Sequence, residues 1–218
     1  MKFTGNVIQT KSRWLLAGAL LCLSQSTMVF AHGAEQHANP PVSTNTVKTK
    51  APVSEIERAR NYFTDLPLVT NDGENVKFYS DMLNDKVVLV NVMYTKCKDA
   101  CPLLTKHLAA AKEQLGDLFG KEIFFVSISN DPGRDSPEAL TAFARKQNAN
   151  HPGWKFMTGN KKDVDAIISK LGLYSADFED HNTLLLAGNT RTRHWIKIVP
   201  NIPPAAIAQK LRDLAAEG

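Results

Sequence analysis

The chain has 218 residues, 43% of them hydrophobic, with 26 basic and 22 acidic side chains, a formal charge of +4 and three cysteines. That length suits one domain with a substantial core plus a leader, and three cysteines exclude a disulfide-built scaffold. The basic excess sits in residues 1–31, which hold Lys2, Lys11 and Arg13 and no acid; without them the charge is about +1, and no basic stripe with interleaved aromatics remains to bind nucleic acid.

Residues 1–31 read as a secretory signal: a basic leader, the apolar stretch Trp14 to Leu23, and a cleavage site at Val29-Phe30-Ala31. The apolar stretch is shorter than the ~20 residues of a membrane helix. Export to the periplasm with cleavage is expected, and an uncleaved N-terminal anchor is the alternative. Cys22 lacks the small residue that precedes a lipid-modified cysteine. Residues 32–53 have the Ala, Pro, Thr, Asn and Lys composition of a disordered leader. His32 and His37 belong to this solvated leader; if cleavage follows Ala31, the amine and ring of an N-terminal His32 offer a weak Cu(II) site as the lesser alternative. The folded domain is expected over 54–218.

Phe63 to Thr70, Asn71-Asp72-Gly73 and Val76 to Tyr79 read as a β-hairpin, since Asp-Gly between alternating apolar residues fits a tight turn. Val87 to Met93 is a continuous apolar run, the mark of a strand buried on both faces. Pro102 to Phe119 carries an apolar face at helical spacing, and Ile123 to Ile128 is a second buried strand. Ser136-Pro137-Glu138 opens a helix running to about Gln147 with an N-cap, a first-turn proline and an acid near the positive helix end. Trp154 to Met157 is a short strand and Lys161 to Leu171 a helix. Thr183 to Ala187 and His194 to Val199 form a last strand pair, and Pro203 to Ala216 the closing helix. A parallel β-α-β unit followed by a hairpin and a helix on one sheet is the order of an α/β, thioredoxin-like single domain with an N-terminal β-hairpin.

Cys97 and Cys101, followed by Pro102, sit at the corner between the Val87 to Met93 strand and the next helix. In an open α/β sheet chemistry gathers at the carboxyl ends of strands. If the helix begins at Cys97, residues four apart share one face, and both sulfurs face outward to form a disulfide or hold a soft metal ion. A helix N-terminus lowers thiolate pKa, which favours metal binding or thiol exchange. A structural disulfide is the bland alternative, and a loop this short would stabilise little.

Tyr94-Thr95-Lys96-Cys97-Lys98-Asp99-Ala100-Cys101-Pro102 resembles the copper motif of the Sco (SenC) family, which assembles copper sites in respiratory enzymes, above all the CuA site of cytochrome c oxidase. The likeness continues through Val126-Ser127-Ile128-Ser129, Asp131-Pro132, Arg134-Asp135, Ser136-Pro137-Glu138 and Gly153 to Gly159, and reaches Asp180-His181. It covers roughly residues 60–185. The resemblance implies copper held by Cys97, Cys101 and His181, in a carrier that serves a copper-enzyme client and docks transiently at the membrane. Two thiolates favour Cu(I), and an added imidazole suits Cu(II) as well.

Of the other histidines, His107 lies about 240° around the helix from Cys101 and points elsewhere, while His151 and His194 are loop and edge residues. Met93 and Met157 belong to strand cores. Asp99 and Asp180 are candidates for tuning the site or orienting His181; Asp131-Pro132 and Arg134-Asp135 shape the turn into the next helix. The chain departs from the family at Lys98, where a proline is common, at Asn182, and in the turn from Ala187 to Arg193. The ligands survive and the surface beside them changes, so the client stays open.

The competing function is a thiol-disulfide reductase that keeps a client's metal-site cysteines reduced, with Cys97 and Cys101 as its redox pair. Thioredoxin-type enzymes use two intervening residues and a cis-proline opposite the dithiol, and no proline occurs between Gly153 and Val199. Peroxidase chemistry lacks its threonine-proline setting, and a structural zinc site lacks a fourth ligand.

Overall fold

The structure, a computed structural model, describes residues 54–175 and 183–217. The signal, the leader, Cys22, His32, His37, Asp180, His181 and Asn182 lie outside the described residues.

Helix α1 (Glu55–Phe63) comes first, where the sequence reading began a strand at Phe63. Its start is a reciprocal cap: Ser54 Oγ accepts the Glu57 N–H at 3.2 Å and Glu57 Oε2 accepts the Ser54 N–H at 3.3 Å. The hairpin is therefore shorter than expected, β1 (Pro67–Thr70) with β2 (Asn75–Lys77), joined through Gly73 at φ 82°. Phe78–Leu83 forms a wide π-type turn instead of extending the second strand to Tyr79.

Then follow β3 (Val87–Met93), α2 (Ala100–Leu115), a short 3-10 turn at Gly116–Leu118, β4 (Ile123–Ser129), α3 (Pro137–Lys146), β5 (Trp154–Thr158), α4 (Lys161–Lys170), β6 (Leu185–Asn189), β7 (His194–Ile198) and α5 (Pro204–Ala215). Sheet order is β2-β1-β5-β4-β3-β6-β7. The three central strands β5, β4 and β3 are parallel, with antiparallel pairs on both flanks. This is the expected α/β architecture with its N-terminal hairpin.

The unbroken apolar run of β3 follows from two covered faces. Val87, Leu89 and Met93 join the cluster under α2, α3 and α5, with Leu104, Leu108, Leu140, Phe143 and Leu211. Val88, Val90 and Val92 join the opposite cluster, with Phe63 of α1 and Val164, Ile167 and Ile168 of α4. Each such side chain contributes roughly 1.5–3 kcal/mol by leaving water. The polar interruption, buried Asn91, accepts from Ser127 Oγ at 2.8 Å, and Ser127 Oγ accepts the Trp154 indole N–H at 2.9 Å. Burial of these groups is tolerated because they are paired across the three parallel strands. In the last hairpin Gly188 has no room for a side chain, since a Cβ there would lie 2.3 Å from the Trp195 ring.

Candidate functional site

The site is built where β3 ends. Cys97 N–H donates to Tyr94 O at 3.3 Å, closing a turn, and the helix begins three residues later, at Ala100. The expectation of a helix running through both cysteines is corrected: Cys97 stands in the loop and Cys101 is the second helical residue. Asp99 is the N-cap but makes no side-chain cap bond. Cys97 Sγ takes that place, accepting the Cys101 N–H at 3.2 Å. The sulfur thus satisfies a helix-terminal donor and lies at the positive end of the helix dipole.

Neither sulfur faces outward as expected. Cys97 is 9% exposed and Cys101 2%, and both join the core cluster beneath α2. They are not joined as a disulfide. The loop is drawn inward by Asp135, a fully buried carboxylate contributed by the turn after β4. Its oxygens accept the Thr95 N–H at 3.1 Å, the Thr95 hydroxyl at 2.5 Å and the Ser129 hydroxyl at 2.5 Å. Asp135 therefore clips the start of the cysteine loop to the carboxyl end of β4. The turn that carries it is closed by Arg134 N–H and Asp135 N–H donating to Asp131 O at 3.0 Å, with Arg134 Nε on Asp131 at 2.5 Å. The turn-shaping role expected of Asp131 to Asp135 holds, and the hold on Thr95 is an addition that sequence reasoning missed. Nothing local signals it, since the two residues are 40 positions apart.

The two thiols differ electrostatically. Burial alone pushes Cys97 up, but hydrogen bonds from the Cys101 N–H, the Cys101 thiol, the Asp99 N–H and the Tyr94 side chain outweigh it and hold Cys97 below an ordinary cysteine. Burial pushes Cys101 strongly up; the Tyr94 N–H opposes this, while the neighbouring Cys97 sulfur and the Asp135 charge add to it. The pair therefore gives up its first proton at Cys97 and retains the second. With limiting iodoacetamide, alkylation is expected at Cys97 first, with half-maximal reactivity at a lower pH than an ordinary cysteine, and at Cys101 only after unfolding. Peptide mapping by mass spectrometry checks this, and equal labelling in the folded protein would contradict it.

His107 is turned away, as expected, its Nε2 2.7 Å from Ile202 O where α2 meets α5. His151 Nδ1 accepts the Gly153 N–H at 3.0 Å, and His194 pairs with Glu217 at 2.6 Å. Met93 and Met157 are buried core residues. Asp99 is exposed and acts on Cys97 through its backbone. Among the described residues no group of three or more His, Cys, Asp or Glu is placed to hold a metal. The antiparallel register of β6 on β3, with Leu186 opposite Val90 and Asn189 opposite Val87, puts the start of β6 toward the dithiol end of the sheet. A larger hollow of about 810 Å³ beside Tyr62, Leu171 and Trp195 contains neither thiol.

The family model described as SCO1/SenC matches residues 55–215. The SCO1 protein homolog of Bacillus subtilis is 32% identical over 88 residues, covering 40% of this chain and 44% of that protein. The SCO2-like protein of Rickettsia conorii is 30% identical over 125 residues, covering 56% and 58%. The chain thus spans about half the length of these curated relatives. The structure of Bradyrhizobium japonicum ScoI with copper bound has the same fold, with a TM-score of 0.58 at 21% identity over 68% of this chain and 96% of that one.

Proposed function

We propose that this chain, which belongs to the SCO1/SenC family, is a periplasmic copper carrier that holds one copper on Cys97, Cys101 and His181 and delivers it to a respiratory copper enzyme at the CuA site of cytochrome c oxidase. The observation that carries the reading is the dithiol itself: two sulfurs not joined as a disulfide, within hydrogen-bond contact at the carboxyl end of β3, one already shifted toward thiolate. Thiolates select Cu(I), and a third imidazole donor leaves a coordination position open for transfer. His181 is four residues ahead of Leu185, where β6 begins at the dithiol end of the sheet, and four extended residues reach up to about 14 Å from that point. The copper-bound state of the ScoI relative supports the same cargo. Segment 1–31 serves as the export signal in this reading, or as an anchor if it is retained; no helix among the described residues is long and apolar enough to cross a membrane.

The unequal thiols also favour a second reading. An activated Cys97 with a buried, reluctant Cys101 has the asymmetry of an attacking and a resolving cysteine, as a reductase of client metal-site cysteines requires. One experiment separates the two. The reduced chain is loaded with Cu(I) or Cu(II) and assayed for stoichiometry and absorption beside His181→Ala. Near one copper per chain, with an intense sulfur-to-Cu(II) band that changes or disappears in the variant, is expected of the carrier. Absence of tight copper together with a readily cycled Cys97–Cys101 disulfide would replace it with the reductase.

A further inference from the structure

Cys97 opens on one side into a cleft of about 560 Å³ between the cysteine loop and α3. Lys96 and Lys98 stand on its loop side and Lys146 on its helix side, all three exposed, while Phe143 contributes to an apolar floor. No acidic residue lines it: Asp99 and Glu138, on the same two elements, stand outside, with Glu138 turned back to Ser136. Among the described residues none of the three lysines has a carboxylate partner. A second and independent feature is Gln147. It is 3% exposed, lines the same cleft, and its Oε1 has no hydrogen-bond partner. A buried amide oxygen without a donor is costly unless something supplies one.

We infer that this cleft is the docking groove for an acidic, extended segment of the protein that exchanges copper with Cys97. Carboxylates of the segment meet the lysine rim, the Gln147 amide turns toward the cleft to accept a backbone N–H of the segment, and the apolar floor takes an intervening side chain. Transfer between carriers requires a donor atom of the partner to approach the bound ion while Cys97 still holds it. A groove whose wall includes Cys97 brings the partner there with its charge already matched. The inference names the partner chemistry for the proposed carrier and rests on that reading.

The test is fluorescence anisotropy with the reduced full-length chain and a labelled ten-residue peptide carrying four glutamates around one histidine, beside a control with glutamine at each glutamate. Binding that weakens about tenfold in the Lys98→Glu, Lys146→Glu double variant, weakens several-fold in Gln147→Leu and falls with salt is the expected result. Copper stoichiometry is measured on the same samples and should stay that of the parent chain. Equal affinity for the glutamine peptide, or binding indifferent to charge reversal, would overturn the groove. So would lysine-dependent co-sedimentation with phosphatidylglycerol vesicles in preference to the peptide, which would make the rim a membrane contact. If the parent chain binds peptide but no copper, the cleft remains a site for an acidic segment, and the copper exchange assigned to it falls with the carrier reading.

Discussion

Asp135→Ala is expected to lower the melting temperature by roughly 10 °C, from a loss of about 3–5 kcal/mol at about 2–4 °C per kcal/mol for a domain of this size. The magnitude follows from what the carboxylate does. It is fully buried and accepts three hydrogen bonds, two from Thr95 and one from Ser129. Alanine leaves the Thr95 N–H and both hydroxyl protons without their acceptor at a partly buried site, and each such orphan costs about 1–3 kcal/mol. Copper affinity is expected to fall about 10–100-fold in parallel, the range found when a group that orients a metal ligand is lost. Thr95 is two residues from Cys97, and its release unfastens the loop from β4. Asp135→Asn keeps the shape and one acceptor oxygen, so it should fold and show a smaller loss of both. Thermal melts and Cu(I) competition on the two variants provide the check. An Asp135→Ala protein that melts with its parent would mean that water or a neighbouring donor replaces the carboxylate, and that the clip between Thr95 and Ser129 does not hold the loop.

The contrast between Asp135 and the strands around it shows which layers of structure are written locally. The Val87 to Met93 run states its own burial, because a strand covered on both faces must be apolar at successive positions. The opening Ser136-Pro137-Glu138 states a helix start, because the missing N–H of proline and the oxygen of serine suit a helix end. Helix α1 was also legible, in Ser54 and Glu57 at capping-box spacing, but it buries only Phe63 and so lacks the apolar stripe that draws attention to a helix. The positions of Cys97 and Cys101 at a strand-to-helix corner followed from element order. Their burial did not, since it depends on Asp135 pulling Thr95 inward from 40 positions away. The inequality of the thiols was hidden for the same reason. It arises from the deeper burial of Cys101 and from Tyr94, the Asp99 and Cys101 amides and the Asp135 charge, which converge only after the loop is folded.

That inequality makes Cys97→Ser and Cys101→Ser different experiments with one shared outcome. Both should lose copper affinity by about 100-fold or more. If three ligands share a binding free energy on the order of 10 kcal/mol, each carries about 3 kcal/mol, and every 1.4 kcal/mol is tenfold. Their stabilities should part. Serine at position 97 keeps an acceptor for the Cys101 N–H at the helix start, so Cys97→Ser is expected to melt within a few degrees of the parent. Serine at position 101 places a hydroxyl where a 2%-exposed thiol packs among apolar neighbours, at a cost of about 1–3 kcal/mol. Competition against a chromophoric Cu(I) chelator, with melts on the same preparations, measures both. If either single variant holds copper within about tenfold of the parent, the ion does not rest on two thiolates. The dithiol would then have to be explained by exchange chemistry, with Cys97 as the attacking sulfur and Cys101 as the one that resolves the mixed disulfide.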